Sequence, residues 1–402
     1  MIERYKDKAI QELWNPAAVY RRWHEVEVAH LREVEGETAA EVLALIRPPS
    51  PAQVNYYERR TGHDVAGFLI GLDRNLQSAR AKAIQRKESD ELVFRIDKAR
   101  QALHYGLTSS DVVDTGLALG LMRTQPAVKN RVANLQESLQ AFIDQFTPGD
   151  TTIGRTHGQL AAPMPAEHRW GVLAEMLDRA WTRAECAFFV LDVGKMSGPV
   201  GVEGLDSTWE ELALYRLGLR STATTQIVPR DRLAHWAHCM AELATVFEAI
   251  ATQVWLLAQS GIGEIRPAVT GTVGSSAMPH KRNPVLAENV RGLARMARSN
   301  AELLQLGVVQ WGEHDLAHSS VERVAIPDLL HLVCTAATRT ATLVAGMEWL
   351  DPGRPADYVD THEELKMLQA VQGMPYVDAH GQLTRAYRDG TISGTTTTEE
   401  TE

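Results

Sequence analysis

Cysteine is scarce in this sequence. The three cysteines, Cys186, Cys239 and Cys334, are far apart, and none belongs to a C-x-x-C pair. This set indicates neither a disulfide framework nor a thiolate metal site, and it favours a reducing compartment. His235 and His238 stand three apart but have no evident third ligand, so we expect no metal and no other cofactor.

Long apolar runs and a surplus of positive charge are also missing. No segment approaches about 18 uninterrupted apolar residues, the length of a membrane-spanning helix, and the opening Met-Ile-Glu-Arg-Tyr lacks the apolar centre of a signal peptide. We therefore expect a cytoplasmic protein without a membrane partner. The net charge of -10 disfavours nucleic-acid binding, which requires a basic surface.

The 402 residues, 44% of them hydrophobic, can bury a large core and form two or three domains. Apolar residues from Leu233 to Leu257 recur at alternating three- and four-residue steps, which predicts one helix of about 40 Å. That length is typical of a helix bundle in an oligomeric core. We predict an N-terminal helical domain over 1–105, a long-helix domain over 106–350, and a short helical region over 351–402 with a disordered tail.

Residues 274–283, Gly-Ser-Ser-Ala-Met-Pro-His-Lys-Arg-Asn, carry the densest set of reactive side chains. A serine is basic only where cations or amides stabilise its alkoxide, and Lys281 lies six residues after Ser275. Lys281 and Asn283 could also stabilise a carboxylate that gains charge when a proton leaves the neighbouring carbon. The segment predicts a mobile active-site loop, although a solvent loop before a charged helix start has the same composition.

Three histidines stand at breaks in the helical pattern. His63 precedes an aspartate, His157 lies between a threonine and a glycine, and His104 opens a turn with three hydroxyls that ends at Asp111. Free N–H groups and hydroxyls at a helix N-terminus form a natural carboxylate cradle. The turn therefore predicts anion binding, while each histidine could equally be an ordinary loop or capping residue.

Together these segments resemble the aspartase/fumarase superfamily. Gly-Ser-Ser-x-Met-Pro-x-Lys-x-Asn at 274–283 is similar to its signature, and His-Tyr-Gly-Leu-Thr-Ser-Ser-Asp-Val-Val-Asp-Thr at 104–115 is similar to a motif of the adenylosuccinate lyases within it. Thr-His-Gly-Gln at 156–159 and the glycine-rich turn at 195–201 also match. The resemblance implies an all-α fold whose long central helices tetramerise into a twenty-helix core, with active sites built from several subunits.

The resemblance also implies roles for individual residues. Ser275 would remove a proton, and His157 would protonate the leaving nitrogen. Lys281 and Asn283 would stabilise the aci-carboxylate. The other implied catalytic positions are Glu288 and His63. The implied substrate-binding residues are Arg4, Tyr5, His104, Thr108, Ser109, Gln226, Ser276, Met278, His314, Ser319 and Arg323.

The chain departs from the family pattern in three places. His314 stands where the family has an arginine that helps to hold the nucleotide, and a histidine cannot reproduce a bidentate, permanently charged guanidinium. Arg4 and Tyr5, which the resemblance places on the substrate's phosphate, are retained. The segment 71–101 is longer than in the family, and the last domain is shorter.

The implied activity is an anti elimination that releases fumarate from a succinylated purine nucleotide, converting adenylosuccinate to AMP or SAICAR to AICAR. A lyase of the same fold acting on another succinylated amine is an alternative. Carboxymuconate cycloisomerases share Met-Pro-His-Lys-Arg-Asn-Pro but lack the Thr-His pair. A non-catalytic assembly protein could reuse the bundle, yet it would have no need to keep Ser275, Lys281 and His157 together.

Overall fold

The structure is a computed structural model that describes residues 1–202, 206–267, 282–351, 353 and 358–391. Four of the expected site residues, Ser275, Ser276, Met278 and Lys281, lie outside these described residues, as does the predicted disordered tail beyond Thr391.

Fourteen α-helices and four short strands make up the regular structure of the described chain. The helices are Lys8–Trp14 (α1), Pro16–Val34 (α2), Glu37–Leu45 (α3), Pro51–Thr61 (α4), Asp64–Gln85 (α5), Asp90–Ala102 (α6), Ser109–Ile143 (α7), His168–Phe189 (α8), Ser207–Arg216 (α9), Asp231–Leu257 (α10), Val285–Gln305 (α11), Ala317–Ala345 (α12), Thr361–Ala370 (α13) and Tyr376–Arg388 (α14). The strands are Thr151–Thr156 (β1), Gln159–Pro165 (β2), Ile265–Arg266 (β3) and Glu348–Trp349 (β4). The predicted all-α class is confirmed.

The chain forms two compact units. The first comprises residues 1–135, 177–248 and 289–339, and the second comprises 136–176, 249–288 and 340–402. Every boundary between them falls inside a long helix. The division into domains near residues 105 and 350 stays a prediction.

The first unit is built from capped helices around an aromatic centre. Ser50 and Gln53 form a capping box at the start of α4, where Pro51 occupies the first helical position. Trp23 of α2 meets Phe68 of α5 edge to face, with ring centroids 5.5 Å apart. Such packing of apolar helix faces supplies most of the stability of helices in a protein.

The long segment 71–101 folds as two helices, α5 and α6, packed side by side. Two ion pairs join them: Arg80 Nε lies 2.6 Å from Asp97 Oδ1, and Arg100 Nε lies 2.8 Å from Asp73 Oδ1. The segment is therefore a helical hairpin, and four of its charged side chains form ion pairs between its own two helices.

The helix predicted after Asp231 is α10, and it runs to Leu257 as expected. It is long and apolar enough to cross a membrane by length and composition, but more than half of its apolar stretch is buried within the protein. Trp236, Phe247 and Ile250 are fully buried on it. This burial is that of a core helix in a soluble protein.

The last long helix, α12, runs from Ala317 to Ala345, whereas the sequence after the turn at 311–316 predicts a helix over about 321–350. Asp315 accepts the N–H of Ala317 at 2.8 Å and so caps α12 at that point. After Ala345 the chain becomes extended, and β4 pairs antiparallel with β3. Backbone pairing with β3 thus replaces the last helical turn.

A glycine-rich turn at residues 194–201 packs against the start of α7. Gly201 has a φ of +80°, and a Cβ atom there would lie 2.5 Å from the carbonyl oxygen of Thr224. Only glycine fits both the left-handed backbone and the close approach. The turn is therefore fixed by steric constraint as well as by hydrogen bonds.

We predict that Gly201→Ala destabilises the protein more than Gly218→Ala. Gly218 also has a positive φ, +73°, but open space surrounds it, so its substitution adds only the left-handed strain of about 1–2 kcal/mol. Gly201→Ala adds a backbone clash, which costs about 1–3 kcal/mol more. Denaturant unfolding followed by circular dichroism measures both, and equal losses would contradict the steric explanation.

Candidate active site

The turn before α7 is held by a buried ion pair. Asp111 Oδ2 accepts the N–H of Thr108 at 2.6 Å, while Asp111 Oδ1 pairs with the ammonium of Lys195. Both charged side chains are completely buried. Gly198 N–H also donates to Asp111 at 3.3 Å. Thr108 and Ser109 are therefore fixed at the positive end of a long helix, where an anion is favoured.

His63 lies against this turn. It is the N-cap of α5, and its Nδ1 accepts the N–H of Val65 at 3.2 Å. A neutral ring bonded in this way carries its proton on Nε2, which lies 3.2 Å from Ser109 Oγ. The structure thus brings His63 and Ser109 together, and about half of the His63 side chain is exposed.

Ser319 and Arg323 of α12 lie beside Asp64, the residue after His63. Arg323 Nη2 donates to Asp64 Oδ2 at 2.6 Å, and Arg323 Nε donates to Ser319 Oγ at 3.3 Å. These three residues line a cavity of about 300 Å³. His63, Ser109, Ser319 and Arg323, all predicted site residues, therefore lie in one region of the first unit.

His104 is held by a carboxylate that the sequence analysis did not single out. Glu27 Oε1 lies 2.7 Å from His104 Nδ1, and Glu27 Oε2 accepts the His104 N–H at 3.1 Å. These bonds hold His104 at a φ of +59°, which is unusual for a residue other than glycine. Glu27 is fully buried. It lies four residues from both Trp23 and Leu31, and residues four apart share one face of a helix, so the sequence places Glu27 on the apolar face of α2.

The charge of His104 follows from this pairing. Burial by itself disfavours the imidazolium, but the hydrogen bond and the negative charge of Glu27 outweigh burial, so the pKa of His104 is raised. Its pKa therefore lies above the ordinary range of histidine, and its ring stays protonated to higher pH.

His157 lies at the tip of the β-hairpin formed by β1 and β2, where the sequence analysis expected an irregular loop. Thr156 pairs with Gln159, so His157 and Gly158 form the two-residue turn, with φ values of +54° and +78°. Two positive φ values match the right-handed twist of a hairpin. The exposed imidazole thus stands in the turn of the hairpin.

Glu264 anchors the base of this hairpin within the second unit. It is almost fully buried, accepts a hydrogen bond from Thr152 Oγ1 at 3.0 Å, and pairs with Arg155 and, at 3.2 Å, with Arg169. Two of these partners lie on β1 and one in the first turn of α8. Glu264 therefore fixes the hairpin that carries His157.

Asn283 lies two residues before α11, and Glu288 lies in the first turn of that helix. The carbonyl oxygen of Asn283 accepts the N–H of Val285 at 2.9 Å, and Glu288 Oε1 accepts the indole N–H of Trp255 at 3.2 Å. Within the described part of the chain, Glu288 and His157 share no hydrogen bond. The expectation that Glu288 acts beside the catalytic histidine stays a prediction.

His314 lies in the turn before α12, whereas His318 lies in the first turn of α12 itself. The two residues are therefore not on one face of a helix. The two rings are nevertheless in contact, with centroids 5.2 Å apart. Burial lowers the pKa of His314, and the neighbouring His318 lowers it further. His314 therefore cannot supply the permanent positive charge of an arginine.

Gln226 lies half-buried in a loop that adjoins the His314 turn. Thr225 Oγ1 donates to the carbonyl oxygen of Glu313 at 2.7 Å and joins the two segments. Gln226 and His314, both expected to bind substrate, are thus close in the fold.

Arg4 and Tyr5 lie apart from this region. Thr335 Oγ1 of α12 donates to the carbonyl oxygen of Tyr5 at 2.9 Å, and the guanidinium of Arg339 lies over the Tyr5 ring. Arg323 and Arg339 are sixteen residues apart on the same helix, which separates them by about 24 Å along its axis. Tyr5 therefore packs toward the opposite end of α12 from Arg323.

We predict that Glu27→Gln lowers the pKa of His104 and destabilises the protein by about 1–3 kcal/mol at low pH. Because the pKa of His104 is raised in the folded protein, its pair with Glu27 stabilises the fold fully below about pH 6.5. That stabilisation is lost as the pH rises through the pKa of His104 in the folded state. The difference in unfolding free energy should therefore shrink at alkaline pH. Denaturant unfolding across pH and NMR titration of His104 measure both effects.

The matched control is Glu25→Gln, which removes a partly exposed carboxylate on the same helix as Glu27, where it pairs with Arg123 of α7. It should leave the His104 titration unchanged. A His104 pKa that does not move in Glu27→Gln would contradict the assigned pairing.

Comparison with known proteins places these observations in a family. A family model described as a lyase matches residues 72–298. An adenylosuccinate lyase of Thermotoga maritima is 36% identical over 84% of this chain and 76% of its own length, and one of Synechocystis sp. is 33% identical over 86% and 78%. The 3-carboxy-cis,cis-muconate lactonizing enzyme of Pseudomonas putida shares the fold, with a TM-score of 0.79 at 21% identity over 96% of this chain and 87% of that one. The chain belongs to the adenylosuccinate lyase family of the aspartase/fumarase superfamily.

Proposed function

We propose that this protein releases fumarate from adenylosuccinate by an anti β-elimination that leaves AMP, and that it converts SAICAR to AICAR by the same chemistry. The observation that carries this proposal is the convergence of His63, Ser109, Ser319 and Arg323 at the start of α7 in a chain of this family. A helix N-terminus that carries hydroxyls, an imidazole and a guanidinium can bind the carboxylates of a substrate that also has a polar leaving group.

The reaction needs one base and one acid on opposite faces of the substrate. Ser275, as an alkoxide, removes the proton from the carbon beside one carboxylate of the succinyl group. The electron pair of that C–H bond forms the new C=C bond, and the C–N bond breaks. The nitrogen keeps the bonding pair and takes a proton from His157, so fumarate and the aminopurine nucleotide result.

The carboxylates of the succinyl group must be held while charge builds on one of them. Thr108 and Ser109 supply hydroxyls and N–H groups at the positive end of α7, and Asp111 with Lys195 keeps them in place. Lys281 and Asn283 stabilise the aci-carboxylate, which is more strongly charged than the substrate carboxylate. His63 orients Ser109 through its Nε2.

We further propose that the active sites are shared between the subunits of a cytoplasmic homotetramer. Tyr5 packs toward the opposite end of α12 from Arg323, although the resemblance assigns both to the substrate, and this separation favours contributions from different chains. His157 is exposed in the turn of its hairpin, which suits a residue that acts in another subunit's site. A succinylated purine nucleotide would then contact several chains at once.

We predict that Ser275→Ala reduces fumarate release by about 10²–10⁴-fold, the usual contribution of a general base. Binding of adenylosuccinate should change little, because the serine acts on the reacting carbon and does not hold the nucleotide. Absorbance at the fumarate band measures turnover, and calorimetry measures binding. Ser78→Ala, on the exposed face of α5, is the control; full activity of Ser275→Ala would remove the serine from the mechanism.

Shared sites predict complementation between two inactive variants. Ser275→Ala and His157→Gln should each be inactive, but subunit exchange between them should create some sites with both native residues. We expect fumarate release to return after mixing and partial dissociation. Mixtures that reassemble into the same oligomer yet stay inactive would show that each chain builds its site alone.

A further inference from the structure

A cavity of about 620 Å³ lies within the second unit, between strand β2 and the last two helices, α13 and α14. Its volume is within the range of sites that bind small organic molecules. Strand β2 contributes Gln159 and Leu160 to the wall, and the rest of the wall comes from residues 358–388.

The two helices around this cavity bury few of their side chains. Over the described residues 361–388, α13 has no buried residue, and Ala379 is the only one on α14. His380, Leu383, Thr384 and Tyr387 follow one another at three- or four-residue steps, so they share one face of α14, and this face lines the cavity. Such a face usually packs against the rest of a protein, but here it borders open space.

The wall of the cavity can carry positive charge but no negative charge. Arg388 lines it from the last turn of α14, together with the imidazoles of His362 and His380, and no acidic side chain of the described chain lines it. Arg388 is exposed and forms no ion pair with an acidic side chain among the residues that the structure describes. A guanidinium without a partner, in a wall free of carboxylates, favours an anion.

Hydroxyls and apolar side chains complete the wall. Thr384 Oγ1 donates to the carbonyl oxygen of His380 at 2.8 Å, so its lone pairs are left to accept a hydrogen bond. The side chains of Leu160, Leu365 and Leu383 supply apolar surface. The ligand that matches this wall combines an anionic group with an apolar body, as an aromatic carboxylate or a nucleotide does.

The cavity also reaches the turn that holds His157. Gln159, in its wall, pairs with Thr156 and so closes that two-residue turn. The hydroxyl of Tyr358, which also lines the cavity, donates to the carbonyl oxygen of Ala161 at 3.1 Å and ties the wall to β2. A ligand in the cavity would therefore contact β2 and α14 at once.

We propose that this cavity binds an organic anion with an apolar body and that the bound anion restrains the hairpin of His157. Arg388 binds the anionic group, and Leu160 and Leu383 contact the apolar body. This site goes beyond the proposed function, because it requires neither Ser275 nor any residue of the first unit.

The test uses anilinonaphthalene sulfonate, an aromatic anion whose fluorescence rises when it leaves water, with the full-length protein. Arg388→Met should weaken its binding by about 10-fold, the effect of losing one charged hydrogen bond. Thr384→Trp fills the cavity and should abolish binding. Arg385→Met is the matched control, since Arg385 lies in the same turn of α14 but does not line the cavity. Equal affinities of Arg388→Met and Arg385→Met would overturn the site.

Hydrogen exchange followed by mass spectrometry locates the bound probe. Saturation with anilinonaphthalene sulfonate should slow exchange in residues 159–161 and 380–388 of the native protein, and Thr384→Trp should remove this protection. Exchange in 159–161 that does not change on saturation would overturn the restraint of the hairpin.

Displacement of the probe separates two kinds of anion. AMP displaces it if the cavity takes a nucleotide, and benzoate displaces it if the cavity takes an aromatic carboxylate. Either result supports the site, provided that Arg388→Met weakens the displacing anion as well. If neither anion displaces the probe at millimolar concentration, the proposal is overturned. No step of this test depends on fumarate release, so the inference and the proposed activity fail separately.

Discussion

The buried ion pair between Asp111 and Lys195 is the constraint on which the rest of the candidate site depends. It ties the first turn of α7 to the glycine-rich turn at 194–201, and Asp111 in turn holds the N–H of Thr108. Removing one partner would leave an uncompensated buried charge at a cost of about 3–5 kcal/mol. The close approach of Gly201 to the carbonyl oxygen of Thr224 fixes the conformation of the glycine-rich turn. The donors for a carboxylate are thus set before any ligand binds.

A common pattern positions the histidines of this chain. Each is fixed by a group outside its own motif: His63 by the start of α5, His104 by Glu27, and the hairpin of His157 by Glu264. The imidazoles of His63 and His104 and the hairpin of His157 are therefore held in defined orientations. Fixed geometry of this kind lets an elimination proceed without rearrangement of the protein at the moment of reaction.

Charge is distributed unevenly between the two ends of α12. Near its start, Arg323 is paired with Asp64, and Arg230 is enclosed by Asp114 and Glu322. Near its other end, Arg4 and Arg339 have no acidic partner in the described chain. The first arrangement balances charge within the protein, whereas at the second Arg339 is held by hydrogen bonds to Asn289 and to the Arg4 carbonyl oxygen.

Periodicity and short motifs in the sequence were enough to predict the all-α class, the extent of α10 and the family, because they are local properties. They also singled out His63, Ser109, Ser319 and Arg323, but they could not say that these residues meet. The hairpin under His157, the bounds of α12 and the partners Glu27, Asn289 and Arg339 became visible only in the folded chain. Those features depend on residues far apart in the chain, such as the 284 positions between Tyr5 and Asn289. Packing brings such residues together, and no local pattern records that contact.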